Sequence, residues 1–287
     1  MKRLLLGMLL VWPSIAFAQK TILVVTADAA DYLLAAGGTI AGMIDAGATA
    51  HLIRVSNDEK ESWDLAPEET AQRNRVECEE AGRILGIRDV VSLGYRAAEL
   101  ADVPFTTIRD RIIFYIRHYK PTILFIPNPY TEFERALDRY YTGRAAEDAW
   151  RAAAFENYQP PFAEVGLRPH LTPELYYYAQ PVDPRRHEPE STATFVPQAK
   201  TIDITKTFQR KVKAAQALKT INYSMARRLK ERLTSTGRSL PLLDPLDESS
   251  VNRLVEVNVR GLAGSGTPAE ELRYAGVEYR IPSKYLR

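Results

Sequence analysis

The sequence predicts an α/β protein with a parallel sheet covered by helices on both faces, and three observations carry that reading. Four strand-length apolar runs recur along residues 21–155, each followed by a helical stretch, the signature of crossover-connected parallel strands. The first run, Thr21–Val25, is apolar without interruption, as suits a central strand buried on both faces. The helical stretches also carry boundary signals. Pro67 opens one of them and Gly86 closes it, matching the preference for Pro in the first turn and Gly past the last.

In chain order, the pattern predicts strands over 21–25, 49–55, 90–93 and 122–126, with helices over 31–46, 67–85, 105–119 and 138–155. Leu175–Ala179 reads as a further strand, Pro181–Pro197 as a long Pro-rich and charged loop, and Lys206–Leu233 as one long helix. Ser249–Leu262 reads as another helix, Gly264–Pro268 as a flexible link, and Tyr274–Ile281 as a last strand. No internal repeat or composition break marks a second domain. The expected organisation is a leader over 1–18, an α/β domain over 19–180, and a C-terminal, largely helical elaboration over 181–287 packed on the same domain. In such folds ligands sit at the carboxyl ends of the strands, here residues 26–31, 56–60, 94–99 and 127–139.

The leader reading rests on Met1-Lys2-Arg3, the apolar stretch Leu4–Trp12 and the Ala16-Phe17-Ala18 site, the three parts of a secretory signal peptide. It implies export, to the periplasm or beyond. The stretch is far shorter than the ~20 apolar residues of a membrane span, and no later stretch is long enough. The chain holds 38 Lys+Arg against 36 Asp+Glu, and loss of Lys2 and Arg3 with the leader leaves the two signs equal. That balance and export argue against a nucleic-acid partner. One cysteine, Cys78, excludes a disulfide framework and a multi-cysteine zinc site; a buried small hydrophobe is its expected role.

Four segments at the strand ends carry the chemistry. They are Asp28-Ala-Ala-Asp31 leading into Gly37-Gly38-Thr39; Arg73-Asn-Arg-Val-Glu77 with Leu85-Gly86-Ile87; Leu93-Gly94-Tyr95-Arg96 with Glu99; and Pro127-Asn128-Pro129-Tyr130 followed by Asp138-Arg139 and Thr142-Gly143-Arg144. In this order and spacing they resemble the PIG-L/LmbE family of zinc-dependent N-acetylglucosaminyl de-N-acetylases. The resemblance implies a three-layer, Rossmann-like α/β/α sandwich, amide hydrolysis on an N-acetylated sugar conjugate, and zinc as cofactor. A glycan or small molecule is then the expected partner.

The resemblance also assigns positions. Family members carry His-Pro-Asp-Asp-Glu before the Gly-Gly pair and His-x-Asp-His before the Thr-Gly-Arg segment. Alignment on Gly37-Gly38 puts Asp28 at the first zinc-binding His, Ala30 at the general base and Asp31 at the zinc-binding Asp. Tyr32 takes the place of the Glu. Alignment on Gly143 puts Ala136 at the oxyanion-supporting His, Asp138 at the Asp and Arg139 at the last zinc-binding His. One metal ligand therefore matches, one has become carboxylate and one a cation, and the base is a methyl group.

By ligand type, convergence of Asp28, Asp31 and Asp138 favours Ca²⁺, Mg²⁺ or Mn²⁺ over zinc. The alternatives are no metal at all, with Asp28 or Asp31 capping the following helix, and neutralisation of the carboxylates by Arg139. Arg139 is equally placed to hold an anionic substrate group. The remaining expected substrate-binding residues are Asn57, Asp58, Arg96, Asn128 and Tyr130. For the loop at Asn57-Asp58 and for Pro127-Asn128-Pro129 a plain turn is the competing reading. His51 and His118 read as structural, while His170 and His187 lie in Pro-rich loops. Lys206–Arg232 carries nine basic residues and one acidic, Glu231: a surface for anionic ligands, a solvated face, or one compensated by the acidic stretch 58–80. Three functions follow: a divergent hydrolase, a non-catalytic glycan-binding relative, or a structural or interaction protein whose C-terminal third, the basic helix included, is the functional part.

Overall fold

A computed structural model of the chain describes residues 19–132, 136–180 and 198–276. In chain order the strands are β1 (Thr21–Thr26), β2 (Thr49–Ser56), β3 (Asp89–Tyr95), β4 (Ile123–Pro127), β5 (Glu174–Tyr178), β6 (Gln198–Asp203) and β7 (Ala269–Ala275). The helices are α1 (Asp31–Asp45), α2 (Pro67–Leu85), α3 (Phe105–Tyr119), α4 (Pro129–Glu132), α5 (Leu137–Ala152), α6 (Pro161–Glu164), α7 (Phe208–Gln216), α8 (Lys219–Ser235) and α9 (Glu248–Leu262). One sheet has the order β3-β2-β1-β4-β5-β7-β6. Its first five strands are parallel, and β7 runs antiparallel to both β5 and β6.

The continuous apolar runs behave as buried-strand physics requires: alternate residues feed two separate cores. Ile22, Val24, Leu52, Ile123 and Phe125 pack with side chains of α1, α2, α7 and α9 on one face. Leu23, Val25, Ile53, Leu124 and Ile126 pack with α3 and α5 on the other. The result is the expected three-layer sandwich. From β1 the chain winds outward to β3, then returns to β4 on the opposite side of β1. The crevice at that reversal, outside the carboxyl ends of β1 and β4, is where such sheets bind ligands.

The C-terminal part departs from the expected elements in three places. The long helix is two, because Leu218 leaves the helical region (φ −79°, ψ 60°) and buries its side chain. There the Glu77 carboxylate, from α2, accepts from the Thr220 amide at 2.9 Å and its hydroxyl at 2.7 Å, starting a new helix. The last strand begins earlier, at Ala269, so the glycine-rich link runs directly into it; residues 277–281 lie outside the described part. Strand β6 follows the Pro-rich loop, where no strand was expected, and it extends the sheet by pairing with β7. The leader and the whole stretch 181–197, His187 included, also lie outside the described residues. Among the described residues no helix is long and apolar enough to cross a membrane.

Two glycines of the motif segments are close-approach points. A Cβ at Gly38 would sit 2.8 Å from Ile204, and one at Gly143 would sit 2.5 Å from the Pro127 carbonyl oxygen. The second contact is with backbone at the end of β4 and cannot relax cheaply. Gly143→Ala is therefore expected to destabilise the fold by about 1–3 kcal/mol, read as a lower urea midpoint at unchanged slope.

Candidate functional site

The site is built on the segment leaving β1. Asp28 Oδ1 accepts hydrogen bonds from the amides of Ala30 (3.0 Å) and Asp31 (2.8 Å). Asp28 thus satisfies two of the orphan donors at the start of α1. Its other oxygen lies 2.9 Å from Arg139 Nε, and Arg139 Nη1 lies 3.2 Å from Asp31 Oδ1. Asp31 is wholly buried and the Arg139 side chain is 16% exposed. The guanidinium therefore bridges the two carboxylates, one turn apart, across the crevice from α5.

Asp138 does not join them. It turns to the loop after β3, accepting from Ala98 N at 2.6 Å and Leu100 N at 3.2 Å. That bond holds Ala98 at a φ of 61°, a left-handed conformation a non-glycine residue rarely adopts unaided. The expected trio of carboxylate ligands is thus corrected to a pair closed by Arg139 and a third that anchors a loop. Burial still pushes the Asp138 carboxyl up, against the pull of those two amides.

Three of the expected sugar-binding residues prove to be loop holders. Asp58 is buried; its carboxylate accepts from Ala29 N (3.1 Å), Arg54 Nη1 (3.0 Å) and Ser56 Oγ (2.9 Å). Burial pushes its carboxyl up to about 7 while Arg54 pulls the other way. Asn57 is clasped between Glu59 and the Ala97 amide. Asn128 is buried and accepts from Tyr130 N, closing the turn into α4. Asp58 and Asn57 thus tie the loops after β1, β2 and β3 together by satisfying their amides, while Asn128 closes the loop after β4 on itself.

Arg96 and Tyr130 remain open to a ligand at the same edge of the sheet. The Arg96 side chain is 63% exposed and leans on Glu59 and Glu99. Tyr130 is 45% exposed, with its hydroxyl 3.0 Å from the buried Glu147. The three described histidines are engaged elsewhere. His51 pairs with Asp89 and stacks on Tyr119, His118 packs on Phe114, and His170 bonds the Pro121 carbonyl.

Glu61, which sequence reasoning missed, is half-buried on the loop after β2. Burial pushes its carboxyl up, the Asp28 charge adds to that, and Arg228 and Arg139 oppose it. The folded protein therefore holds this proton to higher pH than the unfolded chain. Its contribution to stability is complete below the unfolded pKa, about 4.3, and is lost as pH rises through the folded value. Glu61→Gln is expected to melt above the wild type at pH 7, the gain shrinking as the pH is taken toward about 4. A variant equal to the wild type at both pH values would show that Glu61 is solvated.

Comparison with known proteins agrees with this architecture. Residues 23–150 match the family model PIG-L, GlcNAc-PI de-N-acetylase. This stretch is a PIG-L-family domain. Diacetylchitobiose deacetylase of Thermococcus kodakarensis is 25% identical over 162 residues, which cover 55% of this chain and 60% of that relative, under two thirds of its length. Among solved structures, N,N'-diacetylchitobiose deacetylase from Pyrococcus horikoshii superposes with a TM-score of 0.65 at 21% identity. That match covers 91% of this chain and 86% of the other. The 4-carboxy-2-hydroxymuconate hydratase GalB of Pseudomonas putida gives 0.60 at 19% identity, covering 92% and 98%. The shared fold is thus found in both a deacetylase and a hydratase, and the fold alone does not choose the reaction.

The donor set decides whether the family's zinc fits this PIG-L site. A guanidinium has no acceptor lone pair to offer a metal, and Arg139, where the motif resemblance expects a zinc-binding His, stands against the carboxylates of Asp28 and Asp31. Among the described residues no three His, Cys, Asp or Glu side chains are grouped to hold a metal ion. The residues present do not fit zinc.

Proposed function

We propose that this protein is a carbohydrate-binding PIG-L relative in which Arg139 has taken the metal's place and the zinc-activated water of the family is not made. The observation that carries this reading is the Arg139 bridge to Asp28 and Asp31. A polarised carbonyl and a lowered water pKa need a Lewis acid with an open position, and a carboxylate must take the proton. Ala30 and Ala136 supply neither a base nor an oxyanion partner. What supports a saccharide as ligand is the family match together with the named deacetylase relatives. The exposed Tyr130 ring and Arg96 guanidinium at the crevice mouth offer stacking and hydrogen bonding to such a ligand.

The leader motif supports action outside the cytoplasm, checked by N-terminal sequencing of the protein from the periplasm or medium: a start at Gln19 is expected. For the site, N-acetylglucosamine and diacetylchitobiose are titrated by calorimetry, and primary-amine release is followed with and without added Zn²⁺. Binding without amine release is the expected result. Amine release that depends on metal would overturn the reading in favour of a divergent hydrolase.

A further inference from the structure

Beyond the crevice, α2, α8 and α9 enclose a second cleft of about 460 Å³. Its wall includes Ser62, Asp64 and Leu65, the continuation of the loop that carries Glu61. Arg228 links the two regions. Its guanidinium lies 5.9 Å from the centre of the Trp63 ring, and its charge acts on Glu61 alongside those of Asp28 and Arg139. Arg227 pairs with Asp64 and ties this loop to α8. Segment 61–65 therefore runs from Glu61, within reach of the Asp28 and Arg139 charges, to the cleft wall at Ser62, Asp64 and Leu65, and Trp63 within it is 52% exposed.

The charge of the cleft says what it would take. Lys219 pairs with Glu248 at 2.8 Å, Arg73 with Glu69 at 2.6 Å, and Asp64 with Arg227. Glu77 is occupied by Thr220. With its cations all paired and Glu77 held by neutral Thr220, the cleft has no surplus positive charge to attract a phosphate or an acidic glycan. Its uncommitted groups are neutral. The Tyr223 ring is 42% exposed, and among the described residues neither the Tyr223 hydroxyl nor the Asn252 side-chain amide has a hydrogen-bond partner. An aromatic face beside amides is the chemistry that recognises an uncharged pyranose.

We infer that this cleft is a second saccharide subsite, so that the ligand is an extended, uncharged oligosaccharide running from the crevice across Trp63 onto Tyr223. This rests on the proposed binding function and adds the ligand's length and charge. The test titrates N-acetylglucosamine and its β-1,4-linked oligomers of two to five units into wild type, Tyr223→Ala and Asn252→Ala. Wild-type affinity should rise with length by about tenfold, the scale of one desolvated aromatic anchor. Tyr223→Ala should lose that rise and keep the affinity for the single sugar, with Asn252→Ala in between. Equal affinity at every length, or a rise that survives Tyr223→Ala, overturns the second subsite and leaves the crevice reading intact. No binding at any length overturns both.

Discussion

Arg139→Ala is expected to cost about 3–5 kcal/mol of stability, the penalty for stranding one partner of a buried ion pair. Asp31 is wholly buried and Asp28 mostly so, and the guanidinium stands 2.9 Å from Asp28 and 3.2 Å from Asp31. Its removal leaves two carboxylates one helical turn apart in a low-dielectric crevice. The variant should also acquire a property that the wild type lacks. Millimolar Ca²⁺ or Mn²⁺ should raise its melting temperature, since an ion that binds only the folded state stabilises by mass action. A thermal shift series with and without each cation reads both effects. An Arg139→Ala protein as stable as the wild type, indifferent to cations, would mean that the bridge does no electrostatic work.

Lys211→Met should be comparably costly. Lys211 and Glu270 are among the most deeply buried charges described, with Nζ 2.6 Å from Oε1. The ammonium also donates to the Leu34 carbonyl at 2.7 Å. The Glu270 carboxylate accepts from Gly38 N at 2.9 Å and Thr39 N at 2.7 Å. The pair thereby pins α7 and β7 against the middle of α1, the helix whose first turn carries Asp31. Thr207 completes the clamp by donating to the Gly38 carbonyl. The glycine is needed because Ile204 packs where a Cβ would project. Loss of the ammonium leaves a buried carboxylate with two amides as partners, again about 3–5 kcal/mol. The double variant Lys211→Met/Glu270→Gln should cost less than the sum of its single changes, because the coupled charge goes with its partner. Strict additivity in urea denaturation would argue that the two side chains do not interact.

The fold of residues 21–180 was legible because buried parallel strands leave an unmistakable record. Apolar runs such as Thr21–Val25 and Ile123–Ile126 admit few other readings when each is followed by a capped helix. Helices α2 and α3 were legible to the residue. The C-terminal part was harder for physical reasons. Strand β6 is a sheet edge with mostly exposed side chains, so it carries little apolar signal. The break at Leu218 is made by Glu77, more than a hundred residues upstream, and no local propensity reports such a cap. The Lys211–Glu270 pair was hidden in the same way: Lys211 stands in a run of basic residues that reads as a solvated face.

The site shows the same division. That Asp28, Asp31 and Arg139 meet was legible from the motif alignment, because the strand ends must converge on one crevice. The orientation of Asp138 was not, since it depends on the amides of Ala98 and Leu100. Asp58 and Asn128 were the right residue types for a sugar, yet both are buried and committed to backbone amides. Polar side chains at loop junctions serve first to satisfy the chain itself, and sequence cannot separate that use from ligand binding. Glu61 gave no signal beyond its position.

The most direct test of the central claim, that Arg139 is the built-in cation of this site, is elemental analysis of the protein purified without chelator. An Asp28→Ala/Asp31→Ala variant serves as control. The predicted result is no stoichiometric divalent metal in either sample, with metal appearing only when Arg139→Ala is supplied with the ion. One equivalent of zinc in the wild type, lost in the Asp28→Ala/Asp31→Ala control, would contradict the account and restore the hydrolase.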